Sequence, residues 1–214
     1  MLVFSYQGFD NNAGVASLRS LVGDAETFST IAKTKFPGER TAFVGESIRA
    51  AVGMCLAARV GDLGGVVGEG IVDPKTVATD KLRGWWFLFP LFPISYPAAA
   101  LIGATVPEEL GVEKCMQWFS ETPVLFVHHP KDFVTPYSRA RELSDIDAGE
   151  KKFVEPAPGV PPQYHLNLGE DRAARADVLR FVQHSLRMGV PGRSSARSGL
   201  GSSNPTVAVV PRSQ

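Results

Sequence analysis

The segment Gly45-Glu46-Ser47-Ile48-Arg49 constrains the fold of this chain more than any other. It lies between an apolar run that predicts a strand, Thr41 to Val44, and an amphipathic run that predicts a helix, Ile48 to Arg59. A serine at a sharp strand-to-helix turn matches the Gly-x-Ser-x-Gly pattern, in which the turn strains the serine backbone and exposes its hydroxyl. The helix N-terminus behind it favours negative charge. Arg49 stands where the pattern has its last glycine.

Strand and helix patterns alternate along the first third of the chain. The apolar run from Leu2 to Tyr6 predicts a buried strand, and apolar residues recur at helical spacing from Ser17 to Lys35. A further short strand is predicted from Gly64 to Val67. This β-α-β-α-β order predicts an α/β fold with a doubly wound, mostly parallel sheet that carries helices on both faces.

The second half of the chain continues the alternation and then changes composition. Two strands and two helices are predicted there in the order strand, helix, strand, helix, at Pro123 to His128, Tyr137 to Ser144, Lys151 to Val154 and Asp171 to Arg187. A length of 214 residues is enough for one domain, which we place at residues 1–187. Residues 188–214 are rich in Gly, Ser, Pro and Arg and are predicted to be a disordered tail.

Charge and cysteine content exclude several classes of protein. The formal net charge is +0, so bulk charge gives no reason to expect nucleic acid or an anionic membrane as a partner. No phosphate loop or clustered metal-ligand spacing is visible, and we expect no cofactor and no metal. The two cysteines make no disulfide framework, and Cys55 is expected to be a free, buried, small apolar residue. A reducing compartment fits this, and we predict a cytoplasmic location for a chain whose first residues do not resemble a signal peptide.

A long apolar segment near the middle of the chain has three interpretations. No charged residue occurs from Gly84 to Pro107, which is close to the length of a membrane span. Four prolines in it argue against a straight spanning helix, because each removes a backbone donor. We favour a lid-like or pocket-lining insertion over residues 84–120, with Trp85, Trp86 and Phe89 binding substrate. An exposed patch that touches a membrane or an acyl chain is the remaining alternative.

Three residues far apart in the chain occur in the order that a serine nucleophile requires. A serine hydroxyl needs a base to take its proton, and Ser47 is followed by Asp132 and then by His165. Each follows a predicted strand, so all three are expected beyond the carboxyl edge of the sheet. Ser47 as a helix N-cap, Asp132 as a turn residue and His165 as a surface histidine are the alternatives without catalysis. His128 and His129 are other candidate bases, but they end the strand that supplies Asp132 and are expected to pack or to bond to backbone.

These residues resemble the α/β-hydrolase superfamily, and most of all its serine-peptidase-like and esterase-like members of the Bem46 type. The similarity covers roughly residues 2 to 187 and rests on four segments in the right order: the turn after Leu2 to Tyr6, the elbow at Ser47, the stretch that leads to Asp132, and the loop with His165. The resemblance implies a Ser47–His165–Asp132 triad, with the N–H of Ile48 as an oxyanion donor.

The chain departs from this family in two ways. Arg49 replaces a glycine, so it is expected either to strain the elbow or to pair with Glu46 or a substrate carboxylate, strain or simple tolerance being favoured. The family's first three strands are also missing, and with them the loop that supplies a second oxyanion donor. The family's third strand lies between its fourth and fifth. Residues 2–6 are therefore expected to pair directly with Thr41 to Val44 or to remain an open edge.

The resulting expectation is an N-terminally incomplete serine hydrolase that acts on a small-molecule carboxylic ester, thioester or amide. The alternative is a catalytically impaired remnant that keeps the scaffold as a binding module. A membrane-associated lipid-handling protein is a third reading, and it rests on the apolar segment from Trp85 to Phe92.

Overall fold

A computed structural model describes nine stretches of the chain. These are residues 2–10, 12–76, 106–107, 110–118, 121–132, 134–146, 150–157, 171–187 and the backbone of 207–209. Within them the chain forms helices α1 to α5, at Leu21–Lys35, Ile48–Val60, Val112–Trp118, Tyr137–Ser144 and Arg172–Arg187. The strands β1 to β5 are at Ala42–Glu46, Gly65–Glu69, Val124–Val127, Lys151–Val154 and Val207–Val209.

The five strands form one parallel sheet in the order β4-β3-β2-β1-β5. Along β1 and β2, Ala42 lies opposite Gly65 and Glu46 lies opposite Glu69. Because all the strands run in the same direction, their carboxyl ends share one edge, and the turns that follow them meet there. The predicted α/β class with a parallel sheet is confirmed.

The sheet separates two cores, as alternation along each strand requires. Val66 and Phe126 face the larger core, which includes residues of α1, α2 and α3. Val67 and Leu125 point the other way and pack with α5. Helices therefore cover both faces, and the doubly wound arrangement is confirmed.

Helix α2 is the most deeply buried element beside the sheet. Every residue from Ala50 to Ala57 is buried, which explains why none of them is polar or charged. It ends where Gly61 takes a left-handed conformation (φ 65°) and its N–H bonds to the carbonyl oxygen of Ala57. The elbow before α2 is thus attached to a rigid, fully packed helix.

The two ends of the chain differ from the prediction. Residues 2–6 form no strand of the sheet beyond a single bridge at Leu2. Instead, Phe4 stacks on Phe28 of α1 at 4.3 Å between ring centroids, and Tyr6 is buried. The position beside β1 is taken by β5, three residues within the stretch 188–214 that was predicted to be a disordered tail. The rest of that stretch lies outside the described residues, so the prediction for it stays untested. Neither predicted arrangement of residues 2–6 is found, because the partner of an edge strand is chosen by long-range contacts.

The prediction of a free Cys55 is also wrong. Cys55 of α2 and Cys115 of α3 form a disulfide with a Cα–Cα distance of 4.9 Å, and both residues are buried. Disulfides persist chiefly in oxidising compartments, so this pairing removes the argument for a reducing one. The cytoplasmic location stays an untested prediction.

Candidate active site

Ser47 has the strained backbone that a nucleophile elbow requires. Its φ and ψ are 59° and −126°, and among the described non-glycine residues only Asp10 shares a positive φ. Such a conformation costs about 1–3 kcal/mol and persists only where the surrounding structure enforces it. Ser47 takes the N-cap position of α2 but makes no side-chain capping bond. Its hydroxyl therefore forms no hydrogen bond that caps the helix, which argues against the N-cap alternative.

The turn around Ser47 is tight because helix α2 crosses close to the end of β1. A Cβ placed on Gly45 would lie 2.6 Å from the carbonyl carbon and oxygen of Arg49. Real Cβ atoms do not approach backbone so closely, so the first glycine of the pattern is required by packing. Arg49, at the last position, lies within α2 without a strained φ. The strained backbone at the elbow is that of Ser47, as the pattern predicts.

Hydrogen bonds from β2 and the loop after it hold the elbow. The N–H of Ser47 donates to the carbonyl oxygen of Glu69 at 2.8 Å. The carbonyl oxygen of Ser47 accepts from the N–H of Ala50 at 3.0 Å and from that of Val72 at 3.4 Å. No described group accepts a hydrogen bond from the N–H of Ile48, the first residue of α2. This N–H is therefore free to donate beside the Ser47 hydroxyl.

The elbow forms one wall of a cavity of about 410 Å³. The other lining residues come from two stretches before β1, within residues 4–10 and 16–21. Phe4, Phe9, Leu18 and Leu21 make much of that lining apolar, and Ser47 and Ile48 line the same cavity. A cavity that places a serine beside apolar side chains suits a ligand with an apolar part next to its reacting group.

Besides the Ser47 hydroxyl, two polar side chains of this cavity make no hydrogen bond or ion pair within the described residues. Arg49 makes no hydrogen bond or ion pair there, including with Glu46, which was one predicted partner. The hydroxyl of Tyr6 is buried and has no hydrogen-bond partner among the residues that the structure describes. Burial raises the pKa of Tyr6 above its ordinary value, while the nearby Arg49 charge lowers it and Asp24 raises it. The hydroxyl therefore stays protonated and able to donate.

Asp132 lies in the turn after β3, two strands from the elbow. Its Oδ1 accepts from the N–H of Val134 at 2.7 Å and of Thr135 at 3.0 Å, and its Oδ2 accepts from Thr135 Oγ1 at 2.9 Å. The carboxylate side chain is 0% exposed. A buried carboxylate with three fixed donors is held in one orientation, which a residue that orients a histidine needs.

Backbone hydrogen bonds connect the carboxyl ends of β1, β2 and β3. After the Ser47–Glu69 bond, the N–H of Gly70 donates to the carbonyl oxygen of Val127 at 2.8 Å. Neighbouring strands are about 4.8 Å apart, so β1 and β3 are separated by about 10 Å. The structure thus brings Ser47 and Asp132 to the same edge of the sheet.

His128 and His129 bond within their own turn, as expected. The Nε2 of His128 lies 3.3 Å from the carbonyl oxygen of Thr135 and 3.9 Å from Oδ2 of Asp132, with its side chain 1% exposed. The Nδ1 of His129 accepts from the N–H of Lys131 at 2.9 Å. Both rings stabilise the segment that carries Asp132. This structural role gives no support to either histidine as the general base for Ser47.

The remaining predicted site residues, His165, Trp85, Trp86 and Phe89, lie outside the described residues. The ends of the stretch that contains His165 are described and are linked. The N–H of Ala157, just after β4, donates to Oδ2 of Asp171 at 3.0 Å. Oδ1 of Asp171 accepts from the N–H groups of Ala173 and Ala174 and so caps α5. Burial raises the pKa of Asp171, but these backbone bonds outweigh it and hold the pKa below its usual value.

The sequence does not indicate an ionic cluster that lies near this edge around the partly buried Arg139. Arg139 of α4 contacts Asp73, in the turn after β2, at 2.9 Å, and Glu113 of α3 at 2.8 Å. A third contact joins it to Glu142 at 3.0 Å. Burial lowers the pKa of Arg139, but its bonds to these carboxylates outweigh that effect and raise the pKa. Its partners are distant in sequence, so periodicity gives no hint of the cluster, which ties α4 to the turn after β2.

Comparisons with solved structures agree with this architecture. An esterase from Pyrococcus furiosus matches at a TM-score of 0.58 and 12% identity, over 81% of this chain and 65% of its own. Acetyl xylan esterase 1 from Thermoanaerobacterium sp. matches at 0.56 and 18%, over 86% and 60%. An α/β-hydrolase enzyme from a Medee basin deep-sea metagenome library matches at 0.50 and 11%, over 86% and 78%. The chain thus spans less than two thirds of the length of the two esterases.

These similarities define the class of fold: the chain has the α/β-hydrolase fold, as its sequence resemblance implied. No protein-family model matches it, and no curated protein sequence is detectably similar to it. None of the helices in the described part of the chain is long and apolar enough to cross a bilayer. The described residues also contain no group of three or more His, Cys, Asp or Glu placed to hold a metal ion.

Proposed function

We propose that this protein is a serine hydrolase that cleaves a carboxylic ester, thioester or amide of a small molecule. The observation that carries the proposal is the backbone of Ser47, with φ 59° and ψ −126° at a strand-to-helix turn and in the wall of a cavity. Strain of this kind in a non-glycine residue accumulates at functional sites. The proposal is also supported by the Ser47 hydroxyl, which makes no capping bond, and by the free N–H of Ile48.

The roles follow from general acid–base and nucleophilic catalysis. The Ser47 hydroxyl attacks the carbonyl carbon while His165 takes its proton, and the N–H of Ile48 donates to the oxyanion. Collapse of this intermediate transfers the proton from His165 to the leaving group and leaves an acyl-serine. Water then attacks the acyl group by the same route and restores Ser47. Asp132 holds the imidazole in the correct tautomer and stabilises its charged form.

Trp85, Trp86 and Phe89 are proposed to extend the apolar side of the substrate site. Their aromatic side chains suit an acyl chain, and the described part of the cavity is already lined by Phe4, Phe9 and the leucines beside them.

A fluorophosphonate probe tests the nucleophile directly. We expect one covalent adduct on the folded wild-type chain, located by peptide mapping to Ser47, and no adduct on Ser47→Ala. Ser144→Ala is the matched control, because its hydroxyl only caps a carbonyl oxygen of α4 at 2.7 Å. An adduct that persists in Ser47→Ala would remove Ser47 from the mechanism.

The Asp132→Asn variant tests whether Asp132 is the carboxylate that orients His165. It keeps the shape of the side chain but presents an amide to the imidazole, so kcat is expected to fall by about 10³–10⁴-fold. Asp62→Asn is the control, since Asp62 pairs only with Lys33 on the surface, at 2.7 Å. Equal losses in both variants would contradict the assignment.

The second candidate function is a catalytically impaired scaffold that binds ligands without turning them over. It is supported by the elbow itself, since Ile48 supplies the one backbone oxyanion donor identified in the described residues. Loss of such a donor costs about 2.7–4 kcal/mol of transition-state stabilisation. A folded chain that neither reacts with the fluorophosphonate nor hydrolyses p-nitrophenyl esters would favour this candidate.

A further inference from the structure

The cavity at the elbow contains a cation where the Gly-x-Ser-x-Gly pattern has glycine. Arg49 is two residues after Ser47, is partly exposed, and lines the same cavity. It makes no ion pair or hydrogen bond with any described residue. A guanidinium group that has no partner beside a nucleophile is placed to receive an anion.

A second, independent observation concerns Tyr6, which lines the same cavity. This residue is 5% exposed, and its hydroxyl has no partner among the described residues. A buried hydroxyl without a partner destabilises the fold, so its presence here calls for an explanation. Tyr6 and Arg49 line the same cavity.

The carboxylates around this pair are engaged elsewhere. Asp10 accepts a hydrogen bond from the Ser5 hydroxyl, and Asp24 accepts from the backbone and side-chain nitrogens of Gln7 at 3.0 and 2.7 Å. Glu46, at the elbow, has an interaction of its own. Among the described residues of the cavity wall, Arg49 and the Tyr6 hydroxyl are therefore donors left without an acceptor.

We propose that Arg49 and Tyr6 form a carboxylate-binding end of the cavity, so that the substrate is an ester or amide of a dicarboxylic acid with one free carboxylate. This rests on the proposed function for the cleavage of the bond, but the anion site itself does not require catalysis. Arginine pairs with carboxylate through two parallel N–H bonds, and a tyrosine hydroxyl adds a third donor. The apolar residues of the same cavity would contact the methylene groups of the acyl chain.

A matched pair of esters tests the preference. Mono-p-nitrophenyl succinate and p-nitrophenyl butyrate differ mainly in a terminal carboxylate that replaces a methyl group. We expect the wild type to hydrolyse the succinyl ester with at least a tenfold higher kcat/KM, and Arg49→Gln to reduce that ratio at least tenfold. Arg59→Gln, in the same helix but paired with Glu26 at 3.3 Å, is expected to keep the ratio. Arg49→Lys keeps the charge but loses the two parallel N–H bonds. Its ratio of kcat/KM values should therefore lie between those of Arg49→Gln and Arg59→Gln.

A binding measurement separates this inference from the proposed function. Titration calorimetry of the wild-type chain is expected to detect succinate but not neutral succinamide, with affinity at least fivefold weaker in Tyr6→Phe and lost in Arg49→Gln. Circular dichroism of each variant checks that the fold is kept. Succinate binding that depends on Arg49, without ester hydrolysis, supports the anion site and overturns the hydrolase proposal. Hydrolysis of both esters with equal efficiency, unchanged by Arg49→Gln, overturns the anion site and leaves the hydrolase proposal standing. If the folded chain neither binds succinate nor hydrolyses either ester, both are overturned.

Discussion

The backbone N–H of Ser47 donates to the carbonyl oxygen of Glu69 at 2.8 Å, across the ends of two neighbouring parallel strands. This bond continues the β1–β2 ladder by one residue, to the point where the chain turns into α2. The serine is therefore fixed by the sheet on one side and by the helix on the other. A strained residue can be maintained at such a place because the strands and the helix enforce it together.

The strain at Ser47 predicts a difference between two variants that both lack the hydroxyl. Ser47→Gly relieves the positive φ, whereas Ser47→Ala retains it. We expect Ser47→Gly to be more stable than Ser47→Ala by about 1 kcal/mol, or about 2–4 °C in Tm for a chain of this size. Thermal unfolding of the two variants measures this, and equal Tm values would contradict strain at this position.

Gly45→Ala is predicted to destabilise the fold strongly. Its new Cβ would lie 2.6 Å from backbone atoms of Arg49, so α2 would have to shift away from β1. We expect a loss of about 1–3 kcal/mol in the free energy of unfolding, as for other overpacked sites. Gly23→Ala in α1 is the matched control, since nothing lies within 4 Å of its new Cβ, and it should gain about 0.5–1 kcal/mol. Urea unfolding that ranked the two variants the other way would refute the close packing at the elbow.

The disulfide between Cys55 and Cys115 is predicted to form in the oxidised protein and to stabilise it. It closes a loop with a sequence separation of 60, for which the chain-entropy estimate is about 4 kcal/mol. Thiol titration under denaturing, non-reducing conditions is expected to find no free thiol, and reductant should lower Tm. Two reactive thiols in the oxidised, folded protein would show that the pair is not bonded.

The carboxylate of Asp171 is predicted to stabilise the fold in a pH-dependent way. Its pKa is lower in the folded chain than its ordinary value of 3.8, so its contribution is fully present above that value. The contribution is lost as the pH falls through the lower, folded pKa. Asp171→Asn should therefore be less stable than the wild type by about 1 kcal/mol at pH 7, and this difference should shrink below about pH 4. A constant difference from pH 7 to pH 2 would contradict this role.

Several elements follow directly from local sequence pattern. The predicted helix at Tyr137–Ser144 and the predicted strand at Lys151–Val154 have the same bounds in the structure. The elbow was recognisable because a glycine, a serine and the change from strand to helix periodicity occur within a few residues of one another. Alternation of these elements was also enough to predict the parallel sheet and the common edge to which Ser47 and Asp132 belong.

Other features depend on which distant segments meet, and local pattern carries no information about that. Leu2 to Tyr6 has the composition of a strand, yet β5 takes the place beside β1, because edge pairing is decided by competition between segments. The sequence around Cys55 and Cys115 does not indicate that they pair, because they are brought together only by the packing of α2 against α3. The sequence likewise gives no sign that Arg49 and the Tyr6 hydroxyl lack an acceptor among the described residues. The two groups line one cavity only after the chain has folded. Periodicity governs the burial of one element at a time, whereas the chemistry of this cavity arises from groups that meet only after the chain has folded.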